Sequence, residues 1–175
     1  MLKKKKVIFG SVITAIIIII IDQISKLYIR HHIPLNSNID VIKGFFHIVN
    51  VTNKGIAFGL MDNFSTNRPV LFILITIFSI IVLVYFYVLF IKEENHSNFI
   101  VFSLAGIIGG AFGNFIDRLI LGYVTDFILI HYKNFSWPAF NIADTCISVG
   151  AVGLIIFLIF TKEPKEESEN GGYNA

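Results

Sequence analysis

Four apolar runs, separated by polar stretches, dictate what this chain can become; they cover residues 7–26, 69–91, 99–121 and 141–160. About twenty consecutive apolar residues in an α-helix cross the hydrocarbon layer of a bilayer. No water is present there to satisfy backbone N–H and C=O groups, so runs of this kind must be helical. Composition agrees: of 175 residues, 55% are hydrophobic and 15% charged, and the mean hydropathy is +0.75. The expected fold class is an α-helical integral membrane protein of four transmembrane helices. A formal net charge of +2, with the basic residues dispersed, argues against a nucleic-acid partner. The lone Cys146 cannot form an internal disulfide, and no Cys/His spacing resembles a metal site.

Lys3, Lys4, Lys5 and Lys6 precede the first run, which passes into Asp22-Gln23-Ile24-Ser25-Lys26 without a small-residue cleavage site. A retained first span with a cytoplasmic N-terminus is expected. Asp22 and Lys26 lie four apart, on one helix face, and read as a structural ion pair at the span's outer end. Residues 28–68 are polar overall and too long for bare loop. Within them the β-branched and aromatic residues of 39–53 predict short strands, an extracytoplasmic β-sheet platform between the first two helices. A small-residue turn follows at 53–59, with Asn53, Gly55 and Gly59. The second run carries no ionisable residue and reads as scaffold, and 92–96 as a polar hairpin on the cytoplasmic side.

The third run holds Gly106, Gly109, Gly110 and Gly113, which let helices approach closely in lipid. Asn114, Asp117 and Arg118 then share one face at its outer end, where Asp117 and Arg118 can form a charge pair. Residues 126–140 suggest an interfacial loop or short amphipathic piece, with Tyr132 and Trp137 at headgroup level. The fourth run opens with Asn141 and Asp144 and ends in a polar, disordered tail at 162–175. Four spans return the C-terminus to the cytoplasm and bring Asp126 and Asp144 to the same outer boundary.

Ionisable groups near lipid are costly and by default functional. Two carboxylates held together cannot both ionise easily, so one keeps a proton while the other acts as a base, the division of labour that activates water against an amide. Intramembrane acids also suit a proton-coupled transporter, but the chain has no internal repeat of the transporter kind. A structural assembly subunit accounts for the glycines but not for acids and asparagines gathered at one face. A cysteine protease built on Cys146 and His131 is disfavoured because Cys146 falls inside the fourth span.

Five blocks occur in order: Asp22-Gln23 with Lys26; Asn53-x-Gly55-x-Ala57-Phe58; Gly109-Gly110-Ala111 with Gly113-Asn114-x-x-Asp117-Arg118; Val124-x-Asp126-Phe127; and Phe140-Asn141-x-Ala143-Asp144. Together they resemble the lipoprotein signal peptidase family, signal peptidase II, across residues 7–160. The chain departs from the family pattern at Ile56, where alanine is common, and at Thr125, where a second valine is usual. The resemblance implies an aspartic endopeptidase of the bacterial inner membrane that removes signal peptides from diacylglyceryl-modified prolipoproteins, cutting before the lipidated cysteine. It implies Asp126 and Asp144 as the catalytic dyad. Asn53, Gly55, Asn114, Arg118 and Asn141 would line or support the site, and Asp22, Gln23, Lys26 and Asp117 would be structural. No metal or other cofactor is implied; the partners would be the lipidated substrate and membrane lipid. A single peptidase domain over 1–161, working as a monomer, is expected.

Overall fold

The computed structural model describes residues 2–55, 68–93, 97–133 and 135–160. The part of the small-residue turn beyond Gly55, residues 94–96 of the 92–96 hairpin and the tail at 162–175 lie outside them. Four helices, α1 (Leu2–His32), α2 (Arg68–Lys92), α3 (Asn98–Leu121) and α4 (Ile142–Phe160), are long and apolar enough to cross a membrane. Their exteriors are apolar: Ile16, Ile20, Ile81 and Leu158 are among many large exposed hydrophobic residues. The interior holds Ser11, Asp22, Lys26, Asn114 and Asp117, all buried. Lipid solvates the first set, while only other protein groups can satisfy the second.

Helix α3 lies at the centre, packed on α1, α2 and α4. Its glycines permit that packing: a Cβ on Gly109 would lie 2.9 Å from the carbonyl oxygen of Ala15, and one on Gly110 would collide with that of Ala143. The backbones of α1 and α4 therefore lie against α3 with no side chain between, as close packing in lipid requires. Gly122 ends α3 in the left-handed conformation (φ 78°), and its N–H closes on the Arg118 carbonyl at 3.1 Å.

At the sheet end of the bundle, β1 (Asn38–Ile42) and β2 (Phe46–Asn53) form the expected hairpin between α1 and α2. The structure corrects the reading of residues 126–140. Instead of a loop or amphipathic piece, they fall largely in a nine-residue strand, β3 (Val124–Tyr132), and a short β4 (Phe135–Ser136). The antiparallel sheet has the order β1-β2-β3-β4. A further bridge joins Ile128 to Phe140, just before α4. Ile29 of α1 and Ile33 just beyond its end pack with Phe127 of β3, and Ile48, Ile128 and Ile142 close around them. This small apolar core fixes the sheet to the bundle end. Asn50, in the irregular stretch of β2, adds a bond from Nδ2 to the Ile33 carbonyl at 2.7 Å.

Candidate active site

Strand alternation aims Asp126 and Thr125 to opposite faces of β3. On the face of Asp126, Asn53 of β2 stands opposite Val124 and reaches diagonally, its Nδ2 donating to Asp126 Oδ2 at 2.9 Å. The Asn53 amide is oriented locally, because its Oδ1 accepts the Gly55 N–H at 2.8 Å. Gly55 is in the left-handed region (φ 80°), and a Cβ there would lie 2.8 Å from the Phe72 ring, so the turn admits only glycine.

The bridge between Ile128 and Phe140 brings the start of α4 beside Asp126. Asn141 is the N-cap of α4 and Asp144 its third residue, and the two form a reciprocal capping box. The Asp144 N–H donates to Asn141 Oδ1 at 2.9 Å, and the Asn141 N–H donates to Asp144 Oδ2 at 3.2 Å. With its Oδ1 committed, Asn141 turns Nδ2 to Asp126 Oδ1 at 2.7 Å. One residue thus holds both carboxylates.

A second asparagine sets the other side of Asp144. Asn114 Nδ2 donates to Asp144 Oδ1 at 2.7 Å, while its Oδ1 accepts from Lys26 Nζ at 2.8 Å and from Asn141 Nδ2 at 3.2 Å. An ammonium can only donate, so Lys26 dictates which way the Asn114 amide points. Lys26 is 0% exposed and also meets Asp22 at 2.8 Å and Asp117 at 3.4 Å. Asp22 in turn accepts the Ala143 N–H of α4 at 2.9 Å, an N–H that the helix itself leaves unsatisfied. Gln23 Nε2 reaches the Gly113 carbonyl at 2.9 Å and Asp117 Oδ1 at 3.2 Å. Buried charge is thereby paired and hydrogen-bonded throughout, the condition under which it is tolerated away from water.

The structure corrects the expected pairing of Asp117 with Arg118. Asp117 pairs with Lys26 and, at 3.6 Å, with Arg30, and accepts the Thr125 N–H at 3.0 Å. The charges that Arg118 feels most are those of Asp144 and then Asp126, ahead of Asp117. Among the described residues its side chain donates no hydrogen bond. Arg30 and Thr125 are the participants not singled out as site residues from sequence. Arg30 had a readable signal, since positions 22, 26 and 30 repeat at helical spacing on α1, but only if the helix runs past residue 26. His131 lies in the sheet with its ring 4.8 Å from that of His47, and among the described residues no hydrogen bond joins it to Cys146.

Asp126 is 2% exposed, and Asp144 is partly exposed. Burial pushes the Asp126 carboxyl up to about 6 from its ordinary 3.8. The charge of Asp144 adds to the rise, and the donors of Asn53 and Asn141 oppose it. Asp144 instead lies, partly exposed, in the first turn of α4. Two acids in contrasting surroundings, joined through one residue, are equipped to divide acid and base roles.

The family model for "Signal peptidase (SPase) II" matches residues 14–160. The chain is 37% identical over 171 residues to the lipoprotein signal peptidase of Syntrophus aciditrophicus (strain SB), covering 95% of this chain and 100% of that one. It is 40% identical over 142 residues to that of Clostridium novyi (strain NT), covering 81% and 91%. A bacterial membrane enzyme solved by the in meso method at 2.3 Å superposes with a TM-score of 0.77 at 34% identity, covering 91% of this chain and 93% of that one.

Proposed function

Because the chain belongs to the signal peptidase II family, membrane peptidases that process lipoprotein signal peptides, we propose that Asp126 and Asp144 form a catalytic dyad that hydrolyses the substrate with an activated water. The observation that carries this reading is Asn141, which holds Asp126 through its side chain at 2.7 Å and Asp144 through its main chain at 3.2 Å.

In this mechanism Asp144, at the start of α4, acts as the base and takes a proton from water. Asp126 enters protonated and gives that proton to the scissile carbonyl oxygen as the water oxygen adds to the carbonyl carbon, giving a tetrahedral diol. Asp144 then passes its proton to the amide nitrogen, the C–N bond breaks, and Asp126 recovers a proton from the diol as the new carboxyl forms. Asn53 and Asn141 orient Asp126, and Asn114 and the cap of α4 orient Asp144. Arg118 supplies positive charge to the side of Asp144.

The substrate in this reading is a prolipoprotein carrying a diacylglyceryl group on the cysteine after the scissile bond. Its acyl chains lie between helices in the bilayer, and its peptide reaches the dyad from the sheet side. Burial of each acyl methylene contributes about 0.8 kcal/mol, which favours lipidated over bare peptide. The sheet end faces outward and both termini are cytoplasmic.

The test is to express Asp126→Asn and Asp144→Asn separately and follow a diacylglyceryl-modified precursor on a gel. Neither should yield mature product at normal abundance of the variant. Full processing by either removes that residue from the dyad.

A further inference from the structure

We infer that Arg30 is a positioning residue for Asp126 and acts through Thr125, an assignment that rests on the dyad reading above. Thr125 immediately precedes Asp126 and is 1% exposed. Its side chain points away from the dyad, toward α1, because neighbouring residues on a strand face opposite ways. Three of its polar atoms are engaged. Arg30 Nη1 donates to Thr125 Oγ1 at 3.0 Å, the Thr125 N–H donates to Asp117 Oδ2 at 3.0 Å, and the Thr125 carbonyl accepts from Asn141 Nδ2 at 3.4 Å.

That last nitrogen is the one that holds Asp126 Oδ1 at 2.7 Å. Arg30 and Asp117 therefore hold the back of β3, and the carboxylate stands on its front. The Arg30 guanidinium is also 3.6 Å from Asp117 Oδ1, so one cation fixes both the acid and the hydroxyl that share Thr125. Without that grip the strand's first residues keep their pairing with β2 but lose, among the described residues, their one side-chain hydrogen bond to α1. A shift of about 1 Å at a reacting group costs up to a hundredfold in rate.

The Arg30 side chain is 25% exposed and lines an open cavity of about 340 Å³ with His31, His32, Asn50 and Tyr123. Its removal widens a wet cleft and leaves no void in the apolar core, so folded protein is expected from Arg30→Ala. Thr125→Val installs the residue usual at this position in the family and suits a strand while deleting the hydroxyl, so the brace belongs to this chain's own pairing of Arg30 with Thr125, and Thr125→Ser keeps the hydroxyl.

The experiment is steady-state cleavage of a diacylglyceryl-modified precursor peptide by purified enzyme, expressed per folded molecule. Arg30→Ala and Thr125→Val should each lower kcat about tenfold with KM held within about twofold. Thr125→Ser should recover most of the loss, and the double variant should be no slower than the worse single, because both remove one bond. A kcat within about twofold of wild type for both single variants overturns the proposal. So does a loss confined to Arg30→Ala, or equal losses in Thr125→Val and Thr125→Ser. If Arg30→Ala fails to accumulate, the comparison of valine with serine at position 125 decides alone. Asp126→Asn in the same assay separates the two readings: if it cleaves at the wild-type rate, the dyad itself is wrong, and if it is inactive while the Arg30 and Thr125 variants are normal, only the brace is wrong.

Discussion

Lys26 presents three ammonium hydrogens to Asp22, Asn114 and Asp117 and has no exposed surface. Lys26→Met leaves two buried carboxylates short of a partner, and breaking a buried pair from one side costs about 3–5 kcal/mol. The expected outcome is a large loss of folded protein, read as yield and thermal midpoint in detergent; an unchanged midpoint would falsify the account of this charge cluster. Asp126 offers a subtler measurement. If it must keep its proton to polarise the carbonyl, kcat/KM falls as pH rises through about 6, the value to which burial lifts it in the free enzyme. A profile that stays level above 6 and falls only as pH drops through it would assign Asp126 the base's role. At this scale the sequence was most informative: each block that resembles the family contributes a residue to the observed network. The partner of Asp117 was misread because neighbours on a helix diverge by about 100°. Its cations stand on another helix.

The elements explain why two acids from different elements are held by one asparagine. Strand β3 is bridged to Phe140, so the first turn of α4 begins beside Asp126. Glycines on α3 then let α4 settle close enough for Asn114 to reach Asp144. In Gly110→Ala the new methyl meets the Ala143 carbonyl and lies 2.8 Å from Ile147 Cγ1. Forcing an extra carbon into such a contact costs about 1–3 kcal/mol. Because Ala143 lies between Asn141 and Asp144, processing should fall by more than the loss of folded protein explains; equal falls in a gel assay and a melting curve would show that α3 spacing does not tune the site. The strand itself was illegible in sequence for a physical reason. Its first four residues are buried whichever face they take, with Thr125 and Phe127 against α1 and Val124 and Asp126 on the opposite face. No polar and apolar alternation survives in a strand covered on both sides.

For the molecule as a whole, burying Asp126 ties activity and stability to the same proton. Its folded value is raised above the ordinary one, so its stabilising contribution is complete below about pH 4 and is lost as pH rises through about 6, by roughly 3 kcal/mol at most. The thermal midpoint in detergent should therefore rise as pH is lowered from about 7 to about 5, and Asp126→Asn should flatten that dependence. Identical slopes for the two proteins would mean that the carboxyl is not held in the stated surroundings. What the sequence determined by itself was the class of environment and the cast of polar residues. Span length, hydropathy and the cost of charge near lipid are local or additive quantities, legible one residue at a time. What only the tertiary structure decided was who pairs with whom: Lys26 orienting Asn114, Asn141 holding both acids, Arg30 gripping Thr125. Those choices depend on how four helices and a covered strand converge in space, and a buried polar group takes whichever partner that convergence brings within hydrogen-bonding reach.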